Sequence, residues 1–144
     1  MNVSIKRIDT SLPLPEYKTG GSVAFDIYAR TEIKVEPQTL GRIPTNLIIA
    51  TPPGYGLILS ARSSLASKKG LFLANGIGVI DQDYAGNEDE ILLSVYNFST
   101  ETVVIEPGER IAQGMFVRID RASWTEVEHM DEQSRGGFGS TGSF

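Results

Sequence analysis

Apolar and polar positions alternate along this chain in short runs, and most runs end at proline or glycine. Alternation with period two marks a strand with one buried face. The pattern predicts strands at Val3–Ile8, Val23–Ala29, Ile33–Val35, Gly41–Ile43, Leu47–Ala50, Tyr55–Ala61, Gly78–Ile80, Ile91–Phe98, Val103–Ile105 and Ile111–Ile119. The breaks are Leu12-Pro-Leu-Pro15, Glu36-Pro37, Thr51-Pro-Pro-Gly54, Gly86-Asn87 and Glu106-Pro-Gly108. Regular short strands with turn signals between them predict an all-β sandwich or barrel. Two segments depart from this. Ser63-Ser-Leu-Ala-Ser-Lys-Lys-Gly70 predicts one or two helical turns, with Ser63 as the cap, lysines in the last turn and Gly70 as the stop. Residues 132–144 carry four glycines, one aromatic in the middle and no period, the composition of a flexible arm. With 144 residues, no repeat and no linker, the expected organisation is one β domain over 1–130 and an arm over 131–144.

Charge and composition remove several function classes. The net charge is −5 and the cations are scattered, so a nucleic-acid partner, which needs a basic face, is not expected. A small anionic substrate needs only a few arginines and backbone N–H groups. The chain has no cysteine, which excludes disulfides, thiolate catalysis and Cys-ligated zinc. Its one histidine, His129, stands in a polar stretch and reads as a solvated residue; a multi-histidine metal site is excluded. The segment Met1-Asn-Val-Ser-Ile-Lys-Arg7 lacks the apolar core of a signal peptide, and no apolar run spans a bilayer. The expected location is the cytoplasm, with no membrane partner.

Chemistry concentrates in Asn75-Gly-Ile-Gly-Val-Ile-Asp-Gln-Asp-Tyr84. An apolar strand here ends on Asp81, Asp83 and Tyr84, followed by Gly86. A carboxylate fixed at a strand end can take a proton from water or hold a metal through water. An aromatic beside it can floor a sugar or base pocket. An ordinary turn accounts for the same residues equally well. Arg62, Ser63 and Ser64, where a strand meets the short helix, fit an anion site, although serines before a helix are usually caps. Asp26 interrupts the apolar Val23-Ala-Phe-Asp-Ile-Tyr-Ala29 and must be at an edge, paired or near a metal. Strict alternation puts Ile111 and Gln113 on one side of a strand, which exposes an isoleucine or buries an amide. In Gly136-Gly-Phe-Gly-Ser-Thr-Gly142, glycines such as Gly139 let N–H groups approach phosphates. Phe138 could stack on a base, and Ser140 and Thr141 could bond phosphate oxygens.

Taken in order, Asp26 in Ala24-Phe-Asp-Ile-Tyr28, Arg62-Ser-Ser-Leu-Ala66, Asn75 through Gly86, Gly108-Glu-Arg-Ile-Ala-Gln113 and Gly137-Phe-Gly-Ser-Thr-Gly142 resemble the five motifs of the trimeric dUTP pyrophosphatases. The resemblance runs from about Asp26 to Gly142. It implies a β-barrel or jelly-roll-like all-β domain with one short helix and a flexible C-terminal arm, assembled as a homotrimer with active sites between subunits. It also implies hydrolysis of dUTP to dUMP and pyrophosphate, with Mg2+ carried by the triphosphate.

The resemblance further implies roles residue by residue. Asp81 matches the base that orients and deprotonates water, and Tyr84 the aromatic that packs under deoxyribose and excludes a 2′-hydroxyl. Asn75 and the hairpin backbone at Gly78 match the uracil reader. Arg62, Ser63 and Gln113 match phosphate binders, and Ser64 stands where a glycine amide is more usual. Asp26 matches the carboxylate that meets magnesium through water. Phe138 matches the arm aromatic that stacks on uracil, with Gly139, Ser140 and Thr141 near the γ-phosphate and Arg135 as the arm's arginine. Three departures stand out: Asn87-Glu-Asp89 lengthens the hairpin after Gly86, expected close to the uracil reader; Arg135 is nearer the arm glycines than usual; and Gly114 replaces an apolar residue after Gln113. Two other readings remain on the sequence: a dCTP deaminase or bifunctional deaminase-diphosphatase, and a non-catalytic trimeric nucleotide-binding module.

Overall fold

The computed structural model describes residues 1–137. Its strands are β1 (Ser4–Arg7), β2 (Phe25–Tyr28), β3 (Ile33–Val35), β4 (Leu40–Pro44), β5 (Leu47–Ala50), β6 (Tyr55–Ala61), β7 (Leu71–Leu73), β8 (Gly78–Ile80), β9 (Leu92–Asn97), β10 (Val103–Ile105) and β11 (Arg110–Arg118), with one helix, α1 (Leu65–Lys69). All pairings are antiparallel. One sheet runs β2-β11-β6-β8 and another β4-β9-β7; β1 pairs β5, and β10 pairs β3. The all-β architecture predicted from the alternation is therefore present. Among the described residues, no helix is long and apolar enough to cross a membrane.

Ile27, Leu57, Leu59, Ile43, Val95 and Ile105 form the centre of a single apolar cluster to which both larger sheets contribute. Burying each such side chain stabilises the fold by roughly 1.5–3 kcal/mol before chain entropy opposes it. Along β6 and β9 the buried positions alternate strictly, as period two requires.

The structure corrects the sequence reading at four places. Leu71–Leu73 is a strand, β7, absent from the expected set: its outward position is the apolar Phe72, so the run shows no alternation. Because β7 pairs β9 while β8 pairs β6, the turn between them is a crossover between sheets, not a hairpin. The helix starts one residue later than expected: its cap is Ser64, whose side chain makes no cap hydrogen bond, so Ser63 does not cap it. Gly70 does stop it, at φ +67°, returning its N–H to the Ala66 carbonyl. Finally, β11 does not alternate at its start. A bulge between Arg110 and Ala112 sets an extra residue against β2, and Ile111 and Ala112 are both buried. The dilemma over Ile111 and Gln113 dissolves, since the bulge breaks the period that linked them.

Gly114, one of the departures from the family pattern, has a packing reason. A Cβ there would lie 2.6 Å from the Phe25 ring. That ring fills the space, 5.8 Å from the rings of Tyr17 and Phe116. We expect Gly114→Ala to destabilise the protein by about 1–3 kcal/mol through overpacking. A shift of the urea midpoint to lower concentration at constant slope would show it; an unchanged midpoint would mean that the ring moves aside freely.

Candidate functional site

The site starts from a buried charge. Asp26 is 8% exposed, on β2, the edge strand of its sheet. An unpaired carboxylate at that depth would be costly. Here Arg62 Nε lies 3.3 Å from Oδ1 and Arg110 Nη1 donates to Oδ2 at 3.2 Å. Arg62 follows the end of β6, and Arg110 begins β11, which lies between β2 and β6. The register of β11 sets Gln113 opposite Asp26 on one side and Ser60 on the other. Gln113 Nε2 donates to the Ala61 carbonyl at 3.1 Å, which leaves one of its N–H groups and its amide oxygen for other partners. Arg62, Ser64, Lys68, Lys69 and Arg110 line one depression together with Glu109, which pairs Lys69 at 2.8 Å. Cations outnumber carboxylates there, as an anion site requires.

A second group stands elsewhere on the chain. β8 ends at Ile80, and Asp81 opens a turn in which the Tyr84 N–H reaches the Asp81 carbonyl at 3.3 Å. Gln82 Nε2 anchors that turn to the Tyr55 carbonyl at 2.7 Å. Asp81 and Tyr84 are exposed and line a shallow depression with Val79, Ile80, Ile91 and Leu92. Gly78, on β8, faces Leu59 so closely that a Cβ would sit 3.1 Å from the leucine Cβ. Asn75 is exposed in the crossover turn, where Gly76 takes φ +73° and its N–H returns to Leu73.

Within the chain, then, the structure unites Asp26, Arg62, Ser64 and Gln113 on one side, and Asp81 with Tyr84 on another; Arg62 and Ser64 line one depression, Asp81 and Tyr84 a separate one. Ser63 is exposed in the turn before α1. Arg135 is exposed in the stretch after β11, which carries neither helix nor strand up to residue 137. Phe138, Gly139, Ser140 and Thr141 lie outside the described residues. The lengthened segment Asn87-Glu-Asp89 does not lie on the Asn75 turn as expected: Asn87 faces β1 and β5, and Lys6 Nζ donates to its carbonyl at 3.1 Å. The residue missed in the sequence is Arg110. The signal existed, since a carboxylate within an apolar strand demands cations and Arg110 lies three residues before Gln113.

No group of three or more His, Cys, Asp or Glu side chains is placed to hold a metal among the described residues. The donor set fits a cation brought in by phosphate groups and met by one carboxylate, not a resident metal cage. Asp26, with two arginines on it, still has lone pairs for a metal-bound water.

The sequence model of the dUTPase family matches residues 10–142. The chain belongs to the dUTPase family. It is 43% identical to the deoxyuridine 5'-triphosphate nucleotidohydrolase of Desulfitobacterium hafniense, over 99% of this chain and 95% of the relative. Identity to the enzyme of the same name from Dictyoglomus turgidum is 41%, over 99% of both. Among solved structures, the dUTPase of Streptococcus mutans superposes with a TM-score of 0.76 at 31% identity, covering 83% of this chain and 98% of that one. The Staphylococcus bacteriophage 80alpha dUTPase with dUPNHPP superposes at 0.86 with 25% identity and 98% coverage of both chains. Membership bears out the jelly-roll-like fold and the enzyme class, dUTP diphosphatase, that the five motifs implied.

Replacing Arg110 with methionine leaves the buried Asp26 to Arg62 alone. We expect this dUTPase to lose about 1 kcal/mol of unfolding free energy, modest because Arg110 is partly exposed. Chemical denaturation measures it, and an unaltered curve would show that one arginine suffices.

Proposed function

We propose that the protein hydrolyses dUTP to dUMP and pyrophosphate at sites assembled between the subunits of a homotrimer, limiting dUTP available to DNA synthesis and supplying dUMP for dTMP. The observation that supports the assembled site is the separation of the two groups: the cationic depression and the Asp81–Tyr84 depression each hold only half of what the reaction needs.

In this reading Arg62, Ser63, Ser64 and Gln113 hold phosphate oxygens, and the charge they offset would otherwise repel a nucleophile. Asp81 orients a water in line with the α-phosphorus and accepts its proton as the new P–O bond forms. The bond to the bridging oxygen breaks, and the electron pair leaves with pyrophosphate. Tyr84 packs under deoxyribose, and Asn75 with the backbone at Gly78 reads uracil. Residues 131–144 act as an arm closing the site, with Arg135, Gly139, Ser140 and Thr141 toward the phosphates and Phe138 over the base. Asp26 would meet, through water, a magnesium ion carried by the triphosphate, and the ion would supply neutralisation of phosphate charge.

Three measurements test this. Pyrophosphate release with magnesium should be confined to dUTP among dUTP, dCTP, dTTP and UTP; ammonia from dCTP would move the protein to the deaminase branch, and silence on all four to the binding module. Asp81→Asn should bind dUTP and lose on the order of 10²–10⁴-fold in turnover, the usual contribution of a general base. Mixed trimers of Asp81→Asn and Arg62→Gln chains should regain activity that neither homotrimer has, because some sites then combine two intact halves. Mixtures as inactive as their components would place each site within one chain.

A further inference from the structure

Tyr84 is 39% exposed, yet its hydroxyl is held. It donates to the backbone carbonyl of Glu90 at 3.0 Å. A ring that excludes one hydroxyl from a sugar works only while it is fixed, because a ring free to tilt opens the space it closes. The hydrogen bond ties the far end of the ring to one carbonyl, so the question becomes what fixes that carbonyl.

The Glu90 side chain is the anchor. Arg30 donates to both its oxygens, Nε to Oε1 and Nη2 to Oε2, each at 2.8 Å. The paired fork is the geometry in which an arginine–carboxylate bond is strongest and most directional. The pair is shielded, with the glutamate side chain 12% exposed and the arginine 27%. A third donor, the backbone N–H of Asn46, reaches Oε1 at 2.8 Å. Asn46 is itself rigid: it is buried, holds φ +72°, and clasps the Asp9 backbone through both ends of its amide. Hydrogen bonding to Glu90 raises the Arg30 guanidinium above its ordinary pKa. The next residue is pinned as well, since the Ile91 N–H meets the Leu47 carbonyl and Thr45 donates twice to the Ile91 carbonyl.

Between Tyr84 and Glu90 the lengthened segment closes on itself. Gly86 N–H donates to Asp89 Oδ2 at 2.7 Å, and Asp89 N–H returns to the Gly86 carbonyl at 3.1 Å. The three extra residues thus form a compact loop, and its far end delivers the Glu90 carbonyl to the phenol.

We infer that Arg30 and Glu90 are positioning residues for sugar selection: their ion pair fixes the carbonyl that holds Tyr84, so discrimination of a 2′-deoxy from a ribo nucleoside triphosphate depends on two side chains that touch neither. The inference rests on Tyr84 being the deoxyribose filter of the proposed function.

The test is the ratio of kcat/KM for dUTP to kcat/KM for UTP, read on one preparation of the full chain so that a partly folded sample affects both substrates alike. Tyr84→Phe, Arg30→Met and Glu90→Gln should each lower the ratio by about tenfold, the weight of one hydrogen bond of about 1.4 kcal/mol. Glu90→Gln combined with Tyr84→Phe should lower it no further than either alone, because both act through one contact. Arg30→Lys, which keeps the charge without the fork and perturbs folding least, should recover part of the ratio. If Arg30 and Glu90 serve only stability, their variants melt earlier with the ratio intact, and the inference is overturned. A wild-type ratio near one would instead sink the reading of Tyr84 itself.

Discussion

The deep placement of one carboxylate organises the cationic half of this protein. Asp26 sits where an apolar strand has almost no water to offer it, and a charge there is tolerable only if cations come to it. They come from two directions, Arg62 after β6 and Arg110 at the start of β11. Both arginines are thereby drawn to the same edge, beside Gln113, whose position is set by the register of the same strand. A structural need and an anion-binding arrangement are met by the same side chains. The bulge at the start of β11 makes this compatible with a dry interior: it buries Ile111 and Ala112 while Arg110 stays toward solvent.

Most of the fold was legible because strands with one buried face advertise themselves by alternation, and turns by proline and glycine. Ile33–Val35, Leu47–Ala50, Tyr55–Ala61, Gly78–Ile80 and Val103–Ile105 fall where that pattern placed them. What stayed hidden was information that the pattern does not carry. β7 carries the apolar Phe72 at its outward position and so shows no alternation, and its partner is far along the chain in β9. The crossover at Asn75 looks locally like any turn, and only the pairing of the flanking strands with different partners separates it from a hairpin. A bulge is by nature a break in the period used to read the strand. Arg110 was missed because its importance lies in Asp26, far from it in sequence and adjacent only once β2 and β11 pair.

The departures from the family pattern were visible as oddities, and packing turns two of them into parts. Gly114 is small because the Phe25 ring occupies the space a side chain would take. Asn87-Glu-Asp89 lies against β1 and β5 and ends at Glu90, the residue that holds the Tyr84 hydroxyl. A longer loop would ordinarily be a looser one, since each added residue has more backbone freedom to lose. This one offsets that cost with a side-chain cap at Gly86, a lysine contact from β1 and the anchored glutamate at its end.

The separation of the two depressions also has an electrostatic consequence for the proposed reaction. A general base beside two arginines would be held as an unreactive carboxylate, because cations that stabilise the anion lower its appetite for a proton. In this chain Asp26 takes both Arg62 and Arg110, and Asp81 stands apart from them, lining one depression with Tyr84 and apolar side chains and another with Asp83 and Arg121. Joining the halves across a subunit interface would bring the cationic side to the phosphates and the carboxylate to the water, with the triphosphate's own charge between them. In that arrangement the arginines stabilise the charge of the substrate and not that of the base. Within one chain Asp81 and Arg62 stand at opposite ends of β6, because Ile80 faces Leu57 near its start while Arg62 follows Ala61 at its finish, so the same residues would meet on one substrate only from different chains.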